Sequence, residues 1–455
     1  MPALEKYLAA HAAQFEAELC DFLRIPSVSA DPAHKNDVEN AAQWVDTKFR
    51  MMGFSSEIIP TSGHPLIYAQ SPEVPGAPTV LVYGHYDVQP ADPLELWISP
   101  PFEPTQRDGN LFARGATDDK GQVLTHINSA QAWLEVHGRL PVRLKFLIEG
   151  EEEVGSQGAE EYLVANASRL ACDCVVISDG CKFSRDIPAI TYGLRGIAYY
   201  EIRVTGPNRD LHSGSFGGSV TNPATTVARI LSAMVDCRGK IQIPGFYDDI
   251  VPLAERERQQ FAALPFDEAE YFAEIGVDGA FGEEGYSALE RRWARPTYDV
   301  CGLWGGYQGD GAKTVLPSKA GAKFSFRLVP NQSPEKITTA LKRWLPEITL
   351  PGVKVELLDF HGSPGVTVPL ESRYVVAAAR ALEQAFGRAP VYSREGGSIP
   401  IVAKFHEALH ADILLLGWGL DDDNTHSPNE KFCLADYHRG IKASTRLWEE
   451  LGKLD

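Results

Sequence analysis

Long apolar runs are missing from this chain. No stretch of its 455 residues approaches the roughly 20 consecutive apolar residues of a membrane-spanning helix. The opening segment, MPALEKYLAAHAAQFEAELCDFLRIPS, mixes charges through an amphipathic helical pattern and lacks the hydrophobic stretch of a signal peptide. Positive charge is in short supply: 43 Lys and Arg stand against 61 Asp and Glu, for a net charge of −18. That balance argues against nucleic acid or an anionic membrane surface as a partner. Cysteine is sparse and irregular. The seven (Cys20, Cys172, Cys174, Cys181, Cys237, Cys301 and Cys433) are odd in number. Cys172, Cys174 and Cys181 cluster without the paired CxxC spacing of a zinc site, and the set reads as reduced thiols of a cytoplasmic protein. No internal repeat or low-complexity tract is found.

What is present is an ordinary globular composition, 44% hydrophobic and 23% charged, on a chain long enough for two domains. Short apolar runs at 78–84 (PTVLVYG), 142–150 (VRLKFLIEG), 173–180 (DCVVISDG) and 412–419 (DILLLGWG) read as buried strands. Between them lie helical patterns, such as 119–137, where Val123, Ile127, Ala130 and Leu134 form one stripe and Gly138 stands at the C-cap. Strands alternating with helices predict an α/β fold with a mainly parallel sheet flanked by helices. The middle of the chain differs. Alternating strands at 198–204, 323–329 and 353–358, with helices opening at Pro223 and at Ser333–Pro334, predict a smaller α+β domain inserted into the larger one. The expected boundaries are 1–195, 196–360 and 361–455, with long surface loops over 240–300.

The residues that follow the buried strands share a chemistry. His85 and Asp87 come after LVYG, the acidic triplet Glu151, Glu152 and Glu153 after FLIEG, Asp179 after VVIS, and His426 beyond LLLGWGL. Asp118 and Asp119 precede a predicted helix. Binding sites in open α/β sheets form beyond the carboxyl ends of the strands. Singly, each feature has a plain reading: a surface His–Asp pair, a helix cap, a solvated acidic loop. Together they place two imidazoles and several carboxylates, with no thiolate, at one edge. Such a set suits Zn²⁺, Mn²⁺ or Co²⁺. Five candidates (His85, Asp118, Glu153, Asp179 and His426) exceed the needs of one ion, and a carboxylate-bridged pair about 3.5–4 Å apart uses them all.

GHYDVQP, RGATDDKG, EGEEEVGS, VISDG, YGLRG, DLHSG, GAKTVLP, FSFRLVPN, REGGSIP and NTHSPNEK occur in this order. The ordered set resembles the di-metal exopeptidase family of carnosinases, cytosolic nonspecific dipeptidases, aminoacylases and glutamate carboxypeptidases, and is closest to the cytosolic dipeptidase branch. The resemblance implies two divalent ions, Zn or Mn. His85 and Asp179 would hold one, Glu153 and His426 the other, and Asp118 would bridge both. Glu152 would be the general base that takes a proton from a metal-bridged water and passes it to the leaving amine, while Asp87 would orient the His85 imidazole. The VGS after the triplet resembles the family's ending and favours Glu152–Glu153 over Glu151–Glu152.

The resemblance further implies that the larger domain is catalytic and that the inserted one is a lid and dimerisation surface. In a homodimer, His212 would reach across to the oxyanion of the other subunit. Arg327 would grip a substrate carboxylate, helped by Thr314 and Ser398. Aspartate at 179 is associated in the family with amino- and dipeptidases, glutamate with acyl- and carboxypeptidase types. The expectation is hydrolysis of dipeptides or short peptides. N-acyl amino acid deacylation or carboxypeptidase activity is the alternative, and a non-catalytic binding protein a third.

Overall fold

The computed structural model describes residues 2–397 and 399–454. The chain forms two compact units, Met1–Tyr192 with Val368–Ser393 and Ile401–Asp455, and Gly193–Thr367 with Arg394–Pro400.

In the first unit, the strand Thr79–His85 lies between Arg143–Glu149 and Cys174–Ile177 and runs parallel to both. Asp412–Leu416 continues the parallel pairing beside Cys174–Ile177. Antiparallel strands flank this centre. Leu66–Gln70 and then Ser55–Ile59 extend one side, and Ala189–Leu194 pairs with Asp412–Leu416 on the other through Thr191 and Ile190. The sheet is therefore mixed, with parallel pairing in its four central strands. These are the strands with unbroken apolar runs, because helices cover both faces of a parallel sheet. Val80, Leu81 and Val82 are fully buried, as are Leu144, Phe146 and Leu147. Four strands of one direction bring His85, Glu149, Ile177 and Leu416 to a common carboxyl edge.

The helix Lys120–His137 ends as its sequence predicts, at a left-handed Gly138 whose N–H returns to the Leu134 carbonyl. It is more deeply set than one apolar stripe implies, since every residue from Lys120 to Ala130 is buried. The polar side chains on its inner faces find partners. His126 lies between Ser178 and Ser444, Asn128 donates to Tyr437, and Ser129 accepts from the Trp448 indole. Cys172 and Cys174 form no disulfide, and burial raises both thiols, that of Cys172 to about 12. Among the described residues, no helix is long and apolar enough to cross a membrane.

The second unit is built on an antiparallel sheet in the order Thr297–Gly305, Lys319–Leu328, Gly196–Thr205, Lys354–Ser363. Side chains alternate across it. Tyr200, Ile202, Phe324 and Phe326 point into a core shared with Ile230 and Leu341 of the helices Pro223–Ala233 and Pro334–Ile348. Tyr199, Ser325 and Arg327 fall on the other face. The helix starts follow their caps, with Asn222 accepting the Ala224 N–H and Ser333 that of Lys336. The stretch 240–300, expected as surface loops, also contains three short helices: Glu255–Ala262, Glu268–Glu274 and Ala288–Ala294. The last two have local start signals, an Asp267 cap and a Ser287–Glu290 capping box, while Glu255–Ala262 starts at Ala254 without a capping side chain.

Candidate metal centre

His85 is the last residue of its strand and is fully buried. Its Nδ1 lies 3.1 Å from the Asp87 carbonyl and 3.3 Å from Asp87 Oδ1. With a proton on Nδ1 the ring meets two acceptors there, and Nε2 is the nitrogen that faces the carboxylates of the site. Nε2 is 3.1 Å from Asp118 Oδ1 and 4.0 Å from Asp179 Oδ2. The other Asp118 oxygen, Oδ2, is 2.9 Å from His426 Nε2, which is 3.3 Å from Glu153 Oε2. Two triads of donor atoms result, His85–Asp118–Asp179 and Asp118–Glu153–His426. Within each, the atoms lie within 4.8 Å of one another, and Asp118 belongs to both. The donor set is nitrogen and oxygen only, and the His85 Nδ1 has acceptors of its own, so these residues fit a pair of divalent ions.

The three consecutive glutamates have separate fates. Glu151 is buried, with one oxygen accepting the His64 N–H at 2.9 Å and the other the N–H of Gly158. Backbone donors thus hold both of its oxygens. Glu152 and Glu153 open a short turn, and their N–H groups are both held by the Asp87 carboxylate, at 3.2 and 3.1 Å. Glu153 joins a ligand triad and also accepts from Gln89 Nε2 at 2.7 Å. Glu152 stands in neither triad.

The electrostatics follow from so many carboxylates in so little water. Burial and the charge of Asp118 push Asp179 up to about 7. Burial, the largest influence, with Asp179 and Glu153, drives Glu152 well above the usual range despite the opposing His85 charge. Burial and Asp118 raise Glu153. Asp118 goes the other way: burial works against it, but hydrogen bonds from His426 and His85 hold its carboxyl well below the ordinary value. Asp118 and Glu153 raise His426 in turn. A site with this surplus of buried acid is suited to cations.

His426 is reached by an unusual loop. Asn424, His426 and Asn429 all have left-handed backbone angles, with φ of 57°, 60° and 63°. Such angles cost free energy outside glycine and persist only where the surroundings enforce them. Here Asp423 accepts from Leu420 N, Thr117 Oγ1 and Lys431 Nζ at one end. Glu430, fully buried, anchors the other end against the Asp118 loop.

The remaining predicted residues belong to the second unit. His212 pairs with Val315 on a two-residue ladder, and just beyond it the Ser213 N–H donates to the Thr314 carbonyl at 3.1 Å. His212 is exposed, and its Nδ1 accepts the Gly214 N–H at 3.0 Å, so a neutral ring carries its proton on Nε2. Arg327 is half-buried on the face of the sheet opposite that core, paired with Ile197 and Thr297. Ser398 lies outside the described residues. Three further candidates carried no sequence assignment. Gln89 and Glu430 sit inside motifs already singled out. His361 is brought beside Tyr199 by a bulge at Asp359/His361, their rings stacked at 5.5 Å. Burial and the nearby Arg327 charge lower its pKa.

Comparison with known proteins agrees with this chemistry. The Cys-Gly metallodipeptidase dug1 of Schizosaccharomyces pombe is 35% identical over 458 residues, covering 97% of this chain and 96% of that protein. The Beta-Ala-His dipeptidase of Homo sapiens is 33% identical and covers 99% and 92%. Among solved structures, the di-peptidase Dug1p of Saccharomyces cerevisiae superposes with a TM-score of 0.89 at 32% identity, covering 100% of this chain and 98% of that one. Peptidase family M20/M25/M40 matches residues 81–450, the span that holds every donor atom described above, and the chain belongs to that family.

Proposed function

We propose that Glu152 is the general base for metal-dependent hydrolysis of dipeptides by this chain. In this reading two ions are held by His85, Asp118 and Asp179 and by Asp118, Glu153 and His426. The observation that carries it is the position of Asp118, whose two carboxylate oxygens each lie within hydrogen-bond distance of a different imidazole. When bound, divalent ions acidify a water and polarise the scissile carbonyl. Glu152 takes the proton of the attacking water and returns it to the leaving amine. Its carboxylate belongs to neither triad of ligand atoms and so is left for that task. Asp87 keeps the His85 tautomer and the Glu152–Glu153 turn in place. Either Zn²⁺ or Mn²⁺ suits an all-nitrogen and oxygen donor set.

The second unit acts as a lid and dimerisation domain. Arg327 grips the substrate carboxylate as a planar fork, with Thr314 and Ser398 adding hydrogen bonds. In a homodimer, His212 of the partner subunit donates to the oxyanion. The proton on Nε2, with Nδ1 occupied by Gly214, supports that role. Aspartate at 179 leaves room for a free α-amino group. A cytoplasmic location fits a chain with reduced cysteines, and the net charge of −18 fits a partner list without nucleic acid or membrane.

The test is turnover of dipeptides and matching N-acetyl amino acids by metal-stripped protein given back Zn²⁺ or Mn²⁺. Cleavage of the dipeptides alone is the expected result. Cleavage of the acetylated compounds alone would move the function to deacylation. Two bound ions with no cleavage of either would make the chain a binding protein.

A further inference from the structure

We infer that Glu430 is a positioning residue for the metal centre, a buried clasp that fixes the Asp118 loop to the His426 loop. The inference rests on the metal-site reading above. Glu430 is fully buried and follows His426 by four residues. Its Oε1 accepts the N–H of Thr117 at 3.0 Å and of Asp118 itself at 3.1 Å. Its Oε2 accepts the Gly115 N–H at 3.0 Å and the Arg114 guanidinium at 2.7 Å. Four donors saturate the carboxylate, and three of them are the backbone of the loop that presents Asp118. The Glu430 carbonyl also accepts the Ala113 N–H at 3.1 Å. Arg114 extends the clasp to a third loop, donating to the Pro90 carbonyl five residues beyond His85 at 3.1 Å.

This arrangement has a consequence for both ions. Asp118 reaches His85 with one oxygen and His426 with the other, so a shift of its backbone misplaces a ligand shared by the two triads. The left-handed turns at His426 and Asn429 gain an anchor immediately after them. Gly115 fits the scheme, since its φ is +82° and an added Cβ would come within 2.6 Å of Val88 Cγ1. A plain structural ion pair would need only Arg114. The three backbone donors tie Glu430 to ligand geometry.

The test is direct titration of Zn²⁺ into chelator-stripped protein, read by competition with a chromophoric chelator, alongside a melting curve of the metal-free form. Glu430→Gln keeps the size and one acceptor oxygen, but turns an amide NH₂ toward the Gly115 N–H and the Arg114 cation. Affinity for both ions is expected to fall about 10- to 100-fold. The kcat/KM lost at limiting metal should recover at excess metal. Glu450→Gln is the control for general destabilisation, because Glu450 pairs with Arg380 and Gln384 of a single other helix, Arg373–Phe386. It should lower melting and leave affinity unchanged. Should E430Q alone not fold, the Glu430→Gln/Arg114→Met double variant leaves no buried cation unpaired and carries the same titration. Wild-type affinity in a folded Glu430 variant would overturn the clasp while the metal site stands. No ion uptake by the wild-type protein would overturn both.

Discussion

The carboxylate of Asp87 accepts the backbone N–H of Glu153 at 3.1 Å, and its other oxygen accepts that of Glu152 at 3.2 Å. Asp87 therefore couples the turn holding the proposed base to His85, whose Nδ1 it also faces. Asp87→Asn has only one acceptor atom for these donors and can present its amide to the ring. Metal affinity or kcat is expected to drop about 10- to 100-fold. Metal content measured beside kcat at saturating metal separates the two. Unchanged values for both would remove Asp87 from the proposed machinery.

Glu152→Gln should abolish turnover with both ions still bound. Glu152 belongs to neither triad of donor atoms, so replacing its carboxylate removes no proposed ligand. Loss of a general base costs about 10²- to 10⁴-fold. Metal analysis of the purified variant together with its kcat checks the assignment. Persisting turnover would shift the base elsewhere.

Metal removal should invert the pH dependence of stability. In the metal-free fold, Asp179 and Glu149 are raised to about 7 and about 8 from ordinary values of 3.8 and 4.5. Groups raised in this way hold their protons more tightly when folded. Their contribution is full below the ordinary carboxylate range and is lost as pH climbs through about 4 to 8. His85 and His426, raised by their acidic partners with burial opposing, add loss in the same direction above their ordinary 6.5. Asp118, held low, opposes only in acid. Metal binding instead requires deprotonated ligands and strengthens with pH. Melting temperatures with chelator should fall between about pH 5.5 and about pH 8, while the gap to the metal-loaded protein widens. A gap independent of pH would contradict the proton–metal competition.

The sequence exposes the centre where local patterns suffice. Buried parallel strands are unbroken apolar runs, and His85 and Asp179 stand at or just past the ends of such runs, so both the sheet and its carboxyl edge are legible. The cap of Lys120–His137 is legible for the same local reason. Long-range polar contacts are not. Arg114 and Glu430 are 316 residues apart, and nothing near either one signals the pair. The acidic triplet also hides its division of labour, because Glu151 is claimed by the N–H groups of His64 and Gly158, which no charge pattern reveals. In 240–300 the helices are too short for a periodic apolar stripe; caps mark two of the three, and Glu255–Ala262, which starts at Ala254 without a capping side chain, has no such signal.

Arg327→Lys should raise KM for dipeptides about tenfold or more, since an ammonium cannot reproduce the planar two-donor grip on a carboxylate. Dipeptide amides, which lack that carboxylate, should be affected far less. Comparing kcat/KM for each dipeptide and its amide reads the difference. Equal losses on both would mean that Arg327 supports the sheet rather than the substrate.

The proposed trans role of His212 makes a complementation experiment decisive. Glu152→Gln and His212→Ala should each be inactive alone. In a mixed dimer, the subunit with intact Glu152 receives His212 from its Glu152→Gln partner, and one whole site is restored. Random exchange makes half of the dimers mixed, each with one working site of two, so recovery should approach about a quarter of wild-type activity. Activity should follow the rate of subunit exchange. If mixed dimers form and stay inactive, His212 serves its own subunit or none. The exposed Nε2 donor would then need another purpose.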